Sequence, residues 1–355
     1  MFKIRQRGII LKLKNLLFPI LGIILALIIV AILMFFIKIN PLEAYKILLK
    51  GSLGSKYALF ETLVKATPIL FTGLGYALSY KCGLFNIGGE GQFYMGGLGA
   101  TLAALFLPSF PNWLCLPIAL LLGFIMGGIL SAIPGLLKVW RGVNEVITTM
   151  MFVYIGTYFV NFMVAGPIKE PGYFPQSPPI PENAILPIIT SSNTRLTMAF
   201  PLVLIFLFLY YLMFYKTSLG LKISIVGSNP TAAGYLGINR KVIIIFIMFL
   251  GGGLAGLGGA TEILGVQGRL VHNFSPGYGW DGITVGLIGR AHPIGMFFAA
   301  FLLGMLRSGG RVMQRQLGVP ITIIYIIQAI MLIVTVAGTY VEKKKSFLSK
   351  VKIKK

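Results

Sequence analysis

Residues 83–97 read GLFNIGGEGQFYMGG. This stretch places an amide, a carboxylate, a second amide and several glycines between two apolar runs, each about long enough to cross a bilayer. An ionisable group at membrane depth is costly unless it is paired or hydrated, so the carboxylate is a functional candidate. Glycine lets helices pack closely and lets backbone N–H groups turn toward a ligand. The stretch therefore predicts a membrane helix that is interrupted by a polar break.

The composition indicates the same class of protein. Of 355 residues, 56% are hydrophobic and 11% are charged, and the mean hydropathy is +0.87. A soluble domain carries about 25% charged residues. Apolar runs near the length of a hydrocarbon-spanning helix recur along the chain, as a membrane helix requires. The sequence predicts an all-α polytopic membrane protein.

The formal net charge of +22 is concentrated in the two tails and in short segments between apolar runs. Residues 1–15 and 343–355 are both rich in lysine and arginine. Cations confined to tails and loops follow the positive-inside rule, so both tails are predicted to be cytoplasmic. Basic patches with interleaved aromatics, which would indicate nucleic-acid binding, are not the pattern here. We expect no nucleic-acid partner.

The apolar runs predict about ten transmembrane helices between residues 16 and 342. The count of ten includes a short run, 282–289, as a half-helix or re-entrant element, because this choice keeps the basic C-terminus inside. It leaves Arg307, Arg311 and Arg315 on the outer side, against the local charge rule. The other predicted helices are 16–38, 62–80, 91–108, 113–137, 143–165, 198–215, 242–264, 294–306 and one in the remaining C-terminal run.

A second glycine-rich stretch resembles the first in composition. FSPGYGWDGITVG, residues 274–286, also contains one acid, Asp281, beside aromatic residues. Under the predicted topology it follows an outward helix, whereas the break before Glu90 follows an inward helix. This arrangement is typical of inverted repeats whose interrupted helices meet near the membrane midplane. We therefore predict inverted repeats with interrupted helices.

The polar and aromatic residues around these breaks are the candidate solute lining. Amides and carboxylates pair with base edges or hydroxyl groups, and aromatic rings stack on bases. Three alternatives stay open: Lys81 neutralises Glu90 at the cytoplasmic interface, Asn144 only caps a helix, and Trp280 is an interfacial anchor. The candidates are Phe85, Asn86, Glu90, Gln92, Asn144, Glu145, Trp280 and Asp281.

The sequence contains no pattern that predicts catalysis, a nucleotide site or a metal site. No Walker A motif occurs, and Gly251, Gly253 and Gly256 match G-x-G-x-x-G only inside an apolar helical run, where small residues indicate helix packing. His272 and His292 lie too far apart in sequence to suggest a metal site. No catalytic residues and no metal ligands are predicted.

The cytoplasmic segment 216–241 contains SNPTAAGYLGI. Asn229 is a good N-cap, Pro230 suits the first helical position, and glycine follows near the end, so a short helix is predicted. A helix this short is marginal alone and needs a docking surface.

The chain resembles the permease subunits of bacterial ABC importers, in the group that contains ribose-type sugar and branched-chain amino-acid permeases. The first stretch carries this resemblance, together with RGVNEVITTMMFVYI (141–155), TSLGLKISIVGSNPTAAGYLGI (217–238) and GWDGITVGLIGRAHPIG (279–295). These segments span residues 60–340 approximately. Within the group the chain is most similar to nucleoside-uptake permeases that work with basic-membrane-protein lipoproteins.

The resemblance implies a nucleoside permease subunit that is not itself an enzyme and binds no cofactor. ATP and Mg²⁺ would be bound by a separate ABC ATPase, expected to be a tandem-domain protein. It also implies a second, different permease, an extracellular solute-binding lipoprotein, and a location in the bacterial cytoplasmic membrane. The short cytoplasmic helix would then be a coupling helix that contacts the ATPase through Gly227, Asn229, Pro230, Ala232, Ala233 and Gly237.

Three other functions stay open from the sequence. The solute could be a sugar such as ribose or galactose, or another small polar molecule. An ion-coupled secondary transporter would use Glu90 or Asp281 for protons or sodium and would need no ATPase. A scaffold subunit that transports nothing would need neither polar break.

Overall fold

The computed structural model describes residues 21–352, except 109, 191–193 and 321, and gives no side-chain description for residues 339–352. Within the described residues the regular structure is helical, apart from two isolated β-bridges. The predicted N-terminal tail, residues 1–15, and the last three residues lie outside the described part. The helices are α1 (Leu21–Phe36), α2 (Pro41–Leu53), α3 (Lys56–Lys81), α4 (Gly89–Phe106), α5 (Asn112–Arg141), α6 (Glu145–Ala165), α7 (Ala199–Lys216), α8 (Ser218–Ser228), α9 (Pro230–Tyr235), α10 (Arg240–Glu262), α11 (Tyr278–Ile288), α12 (Pro293–Leu317) and α13 (Thr322–Lys352).

Five helices in the described part are long and apolar enough to cross a bilayer: α5, α6, α7, α10 with its following turn, and α12. Helices α1, α8 and part of α13 are apolar but shorter. These findings confirm the all-helical, polytopic class. Helix ends follow local rules, since Asn144 caps α6 and α5 ends where Gly142 takes a left-handed φ of 68°.

Residues 59–304 form one compact unit. Within it α10 packs against α4 and α5 at glycine positions. A Cβ atom on Gly252 would lie 2.5 Å from the carbonyl oxygen of Gly127, and one on Gly256 would lie 2.4 Å from that of Gly123. Only glycine allows backbones to approach this closely, so the predicted role of these glycines in helix packing is confirmed.

Two breaks interrupt the helices of this unit. Residues 82–88 separate α3 from α4. The second break follows α10, which continues as a π-helical turn over Ile263–Gln267 before α11 begins at Tyr278. The first break was predicted where it occurs, whereas the second was predicted over 274–286, of which residues 278–286 belong to α11. The inverted-repeat relation between them stays a prediction.

The second unit consists of residues 21–58 and 305–352 within the described part. The Tyr45 hydroxyl donates to the carbonyl oxygen of Leu27. A Cβ on Gly51 would lie 2.7 Å from the side chain of Val312. Helices α1, α2 and the end of α12 are therefore closely packed in this unit.

The structure differs from the sequence prediction in four segments. Residues 39–61, which lie between the first two helices predicted from the sequence, contain α2 and the start of α3, because Asn40 caps α2 and Pro41 begins it. Helix α8 was not predicted. The run expected over 294–306 continues to Leu317, and α13 continues to Lys352, because arginine and lysine are good helix formers.

Candidate functional site

The first break contains a buried amide pair. Gln92 Nε2 donates to Asn86 Oδ1 at 3.0 Å, and Asn86 Nδ2 lies 3.4 Å from Gln92 Oε1. Asn86 Nδ2 also donates to Ser131 Oγ of α5 at 3.3 Å, and the Gly88 N–H donates to Asn86 Oδ1 at 2.9 Å. Both amides are buried. Asn86 therefore holds the non-helical chain to α4 and α5 at once.

Glu90 joins the two breaks to each other. The residue lies in the first turn of α4 and is buried, and its Oε2 accepts a hydrogen bond of 2.6 Å from the Gly279 N–H in the first turn of α11. Both helix N-termini carry partial positive charge, which stabilises a carboxylate placed between them. A Cβ on Gly279 would lie 2.1 Å from the Glu90 nitrogen. Glycine is therefore required where the two breaks meet.

Glu145 and Asn144 lie at the start of α6, next to the first break. Glu145 Oε2 accepts from Lys138 Nζ at 2.6 Å, and the Phe85 backbone also interacts with this carboxylate. Asn144 Oδ1 accepts from the Val146 N–H at 2.9 Å. Asn144 therefore caps α6, and its place in the solute lining stays a prediction. Asn144 is exposed.

The remaining candidates differ in exposure. Asp281 is buried in the first turn of α11, whereas Trp280 is exposed. The Phe85 ring packs edge-on against Tyr76, with centroids 5.5 Å apart. The structure therefore brings Asn86 and Gln92 into contact and links the start of α4, through Glu90, to the start of α11, but it does not form one continuous cluster from all eight predicted residues.

Sequence reasoning missed an aromatic cluster and a buried ion pair. Phe93 stacks on Phe274, with centroids 5.5 Å apart and planes at 19°, and also contacts Tyr278. Lys65 Nζ lies 3.9 Å from Glu262 Oε1, and both side chains are buried. The signal for this pair was in the sequence, because each residue is a charge inside a predicted transmembrane helix.

The segment 216–241, predicted to be cytoplasmic, contains two short helices, α8 and α9. Asn229 Oδ1 accepts from the N–H groups of Thr231 and Ala232, at 3.1 and 3.0 Å, so the predicted cap and the predicted start at Pro230 are confirmed. Tyr235 and Leu236, at the end of α9, are strongly exposed. The role of this helix in contacting an ATPase stays a prediction.

The end of α8 touches the first break. A Cβ on Gly227 would lie 2.4 Å from the carbonyl oxygen of Lys81, and one on Gly83 would lie 2.8 Å from that of Gly227. Gly83 also has a φ of 77°, which favours glycine. The backbone at the end of α8 is therefore in direct contact with the backbone of the first break, which contains Asn86.

Among the described residues, no group of three or more histidine, cysteine, aspartate or glutamate side chains could hold a metal ion. The structure combines helices long enough to span a membrane, two breaks with buried amides and carboxylates beside them, and the short helix α9, which has exposed apolar side chains. Helices interrupted at polar sites in this way define a membrane transport permease.

The comparisons with known proteins place the chain more closely. Residues 58–336 match the family described as branched-chain amino acid transport system / permease component. Because this match covers most of the chain, the chain belongs to that family.

Named relatives cover nearly the full length. The chain is 32% identical over 92% of its length to the glucose ABC transporter permease protein TsgB13 of Haloferax volcanii, covering 88% of that protein. It is 34% identical to the nucleoside ABC transporter permease protein NupB of Lactococcus lactis, over 90% of both chains. It is 33% identical to the guanosine ABC transporter permease protein NupP of Bacillus subtilis, over 93% of this chain and 95% of that one.

Each of these three organisms also has a second matching permease. The identities are 28%, 27% and 29% for TsgC13, NupC and NupQ, and these matches cover 69%, 69% and 70% of this chain.

Proposed function

We propose that this chain is the permease subunit of an ATP-driven ABC importer, and that it moves nucleosides across the cytoplasmic membrane. The observation that carries the proposal is the buried amide and carboxylate set at the break between α3 and α4, which the Glu90–Gly279 hydrogen bond joins to α11. The names of two relatives, nucleoside and guanosine permeases, support the choice of solute.

The chemistry of the break suits a nucleoside. Asn86 and Gln92 use their amides on each other in this structure. The same donors and acceptors match base edges when the pair opens, and Glu90 accepts from hydroxyl or N–H groups. Phe85 or Trp280 offers a ring face on which the base can stack. The rest of the proposed lining consists of Phe85, Asn144, Glu145, Trp280 and Asp281.

A sugar is the second candidate solute. The glucose permease relative, at 32% identity, favours it. Carboxylates and amides recognise the hydroxyl groups of a free sugar as well as those of a ribose. The two solutes differ in the base, so only a nucleoside would gain from aromatic stacking.

Three partners complete the proposed importer. The first is a cytoplasmic ABC ATPase, with tandem domains, that binds ATP and Mg²⁺; this chain binds no cofactor. The second is a different permease, because relatives occur in pairs within one organism: NupB with NupC, and NupP with NupQ. The third is an extracellular lipoprotein that delivers the solute.

The ATPase acts on the segment 216–241. Its proposed contact residues are those of the predicted coupling helix: Gly227, Asn229, Pro230, Ala232, Ala233 and Gly237. Gly227 contacts the backbone of Lys81 and Cys82. Movement of α8 and α9 is thereby passed to the residues that precede Asn86.

We propose that both termini are cytoplasmic. Single cysteines placed in residues 1–15, in residues 166–198 and in 343–355 should be labelled from the inside, the outside and the inside, respectively. The native cysteines do not obscure this test, because both are buried and burial raises the pKa of the Cys82 thiol to about 12.

The direct test is uptake by vesicles that contain this chain, the second permease and the ATPase, with the lipoprotein added outside. ATP inside the vesicles should drive uptake of labelled guanosine, and unlabelled glucose should compete poorly. Uptake of glucose in place of guanosine would select the second candidate. Uptake driven by a proton or sodium gradient without the ATPase would instead establish a secondary transporter.

A further inference from the structure

The buried pair Lys65–Glu262 is not used by the proposed function. Lys65 lies in α3, and Glu262 is the last residue of α10. The exposed fractions of the two side chains are 8% and 3%. Charges in such a place are costly to bury and are kept mainly where they serve a function.

The Glu262 carboxylate is only half satisfied by the protein. Its Oε1 faces Lys65 Nζ at 3.9 Å and accepts from Gln267 Nε2 at 3.3 Å. Its Oε2 is buried, and no protein donor in the described part of the chain lies within hydrogen-bond distance. Buried polar atoms that serve only the fold are normally hydrogen-bonded, so an open carboxylate oxygen indicates a ligand position.

The lining of the cavity beside Glu262 is mixed, with six apolar and five polar residues. With Thr67, Thr197, Thr261 and Arg195, Glu262 lines a cavity of about 10 Å³, which is room for one water molecule. The π-helical turn Ile263–Gln267 begins directly after Glu262, and such turns occur frequently at functional sites. A cavity of this volume is too small to hold a nucleoside or a sugar.

The pair is connected to Glu90, which lies in the first turn of α4 just after the first break. Lys65 Nζ lies 5.9 Å from the centre of the Tyr278 ring. The next residue, Gly279, donates its N–H to Glu90, and Thr72 donates to the Tyr278 carbonyl oxygen at 2.9 Å. One short segment at the start of α11 therefore contacts both buried carboxylate sites.

We propose that Lys65 and Glu262 form a second solute-contact site on the same pathway. The Glu262 carboxylate accepts from adjacent O–H or N–H groups of the solute, such as the hydroxyl pair of a ribose or the amide edge of a purine. Lys65 donates to a neighbouring solute oxygen or nitrogen. This inference rests on the proposed function, and the solute reaches the site when the segments around residues 195–200 and 261–266 separate.

A simple structural role for the pair makes a different prediction. If the two charges only hold α3 against α10, then exchanging them in the Lys65→Glu/Glu262→Lys variant restores function. If the carboxylate at position 262 binds the solute, the exchange does not restore it, because a lysine amine cannot accept hydrogen bonds. The exchange therefore separates the two roles.

The experiment measures guanosine uptake by the full reconstituted complex, together with complex assembly in detergent and basal ATP hydrolysis. We expect Glu262→Gln to lower uptake at least tenfold while assembly and hydrolysis stay within twofold of wild type. The charge exchange should stay equally low. As a control, Glu170→Gln, which removes one partner of the partly exposed Arg269–Glu170 pair at 3.2 Å, should keep wild-type uptake.

Uptake within twofold of wild type in Glu262→Gln, or full recovery in the charge exchange, would overturn the inference. If Glu262→Gln does not assemble, the neutral variant Lys65→Met/Glu262→Gln decides, because it leaves no unpaired buried charge. Wild-type uptake in that variant rejects the site, a tenfold loss supports it, and failure to assemble shows a structural pair and also rejects it. Absence of any uptake by the wild-type complex would instead refute the proposed function.

Discussion

Residues 82–88, the first break, and residues 216–241 each contain an asparagine whose side chain accepts hydrogen bonds from nearby backbone N–H groups. The two asparagines differ in their surroundings. Asn86 is buried and also contacts Gln92 and Ser131. The Asn229 side chain is exposed and, among the hydrogen bonds described, accepts only from the first turn of α9. The first region is held by tertiary contacts and the second by local ones.

This difference separates two tasks. A buried network that is hydrogen-bonded across several helices can present polar groups to a solute in a fixed geometry. A short exposed helix is marginally stable alone and gains stability from a partner surface. The break is therefore suited to recognition, and α9 is suited to docking.

The largest effect should come from a glycine in the buried region. In Gly279→Ala the new Cβ would meet the Glu90 backbone at 2.1 Å, and we expect a loss of about 3 kcal/mol or more in stability. The thermal midpoint of the purified permease should fall sharply, and uptake should be lost.

Gly234→Ala in α9 is the matched control. No atom lies within 4 Å of a Cβ at this position, and alanine is the better helix former by about 0.5–1 kcal/mol. The midpoint should be unchanged or raised. Equal midpoints for the two variants would refute the distinction between a buried, tertiary region and an exposed, local one.

The next largest effect should come from Ala233→Pro. Proline removes the hydrogen bond of 3.1 Å from the Ala233 N–H to the Asn229 carbonyl oxygen, and it costs about 3 kcal/mol inside a helix. We expect the ATPase to co-purify at least tenfold less, while the midpoint of the isolated permease, in which Ala233 is buried, falls less than in Gly279→Ala. Normal ATPase association would remove α9 from the coupling role.

The smallest effect should come from the two helix caps. Asn229→Ala and Asn144→Ala should each remove about 1 kcal/mol of local helix stability. Only the first should weaken ATPase binding, by about fivefold, as a titration of the ATPase against the detergent-solubilised permease would show. If Asn144→Ala weakens this binding equally, the coupling surface extends beyond α9.

The comparison also explains what the sequence could predict. The sequence predicts the start of α9 correctly, because the cap at Asn229 and the proline after it determine the helix start through contacts within four residues. The break before Glu90 was readable because glycine and polar residues interrupt an apolar run. Signals of this kind depend only on residues that are neighbours in the chain, so the sequence alone gives their positions.

The sequence did not predict which residues contact the buried polar side chains. Gly279 lies 189 residues from Glu90 in the chain; the two stretches were predicted to meet, but nothing in either one indicates this pair of residues. The Lys65–Glu262 pair could have been suspected from charge inside apolar helices, but not its geometry.

The most direct test of the central claim is ATP-driven guanosine uptake by the reconstituted complex carrying Glu90→Gln. Glutamine keeps an oxygen that accepts the hydrogen bond from Gly279 but removes the charge, so the fold should be preserved. We predict that uptake falls about tenfold while ATPase association and ATP hydrolysis stay at wild-type levels. Wild-type uptake in this variant would contradict the claim that this polar break contacts the solute.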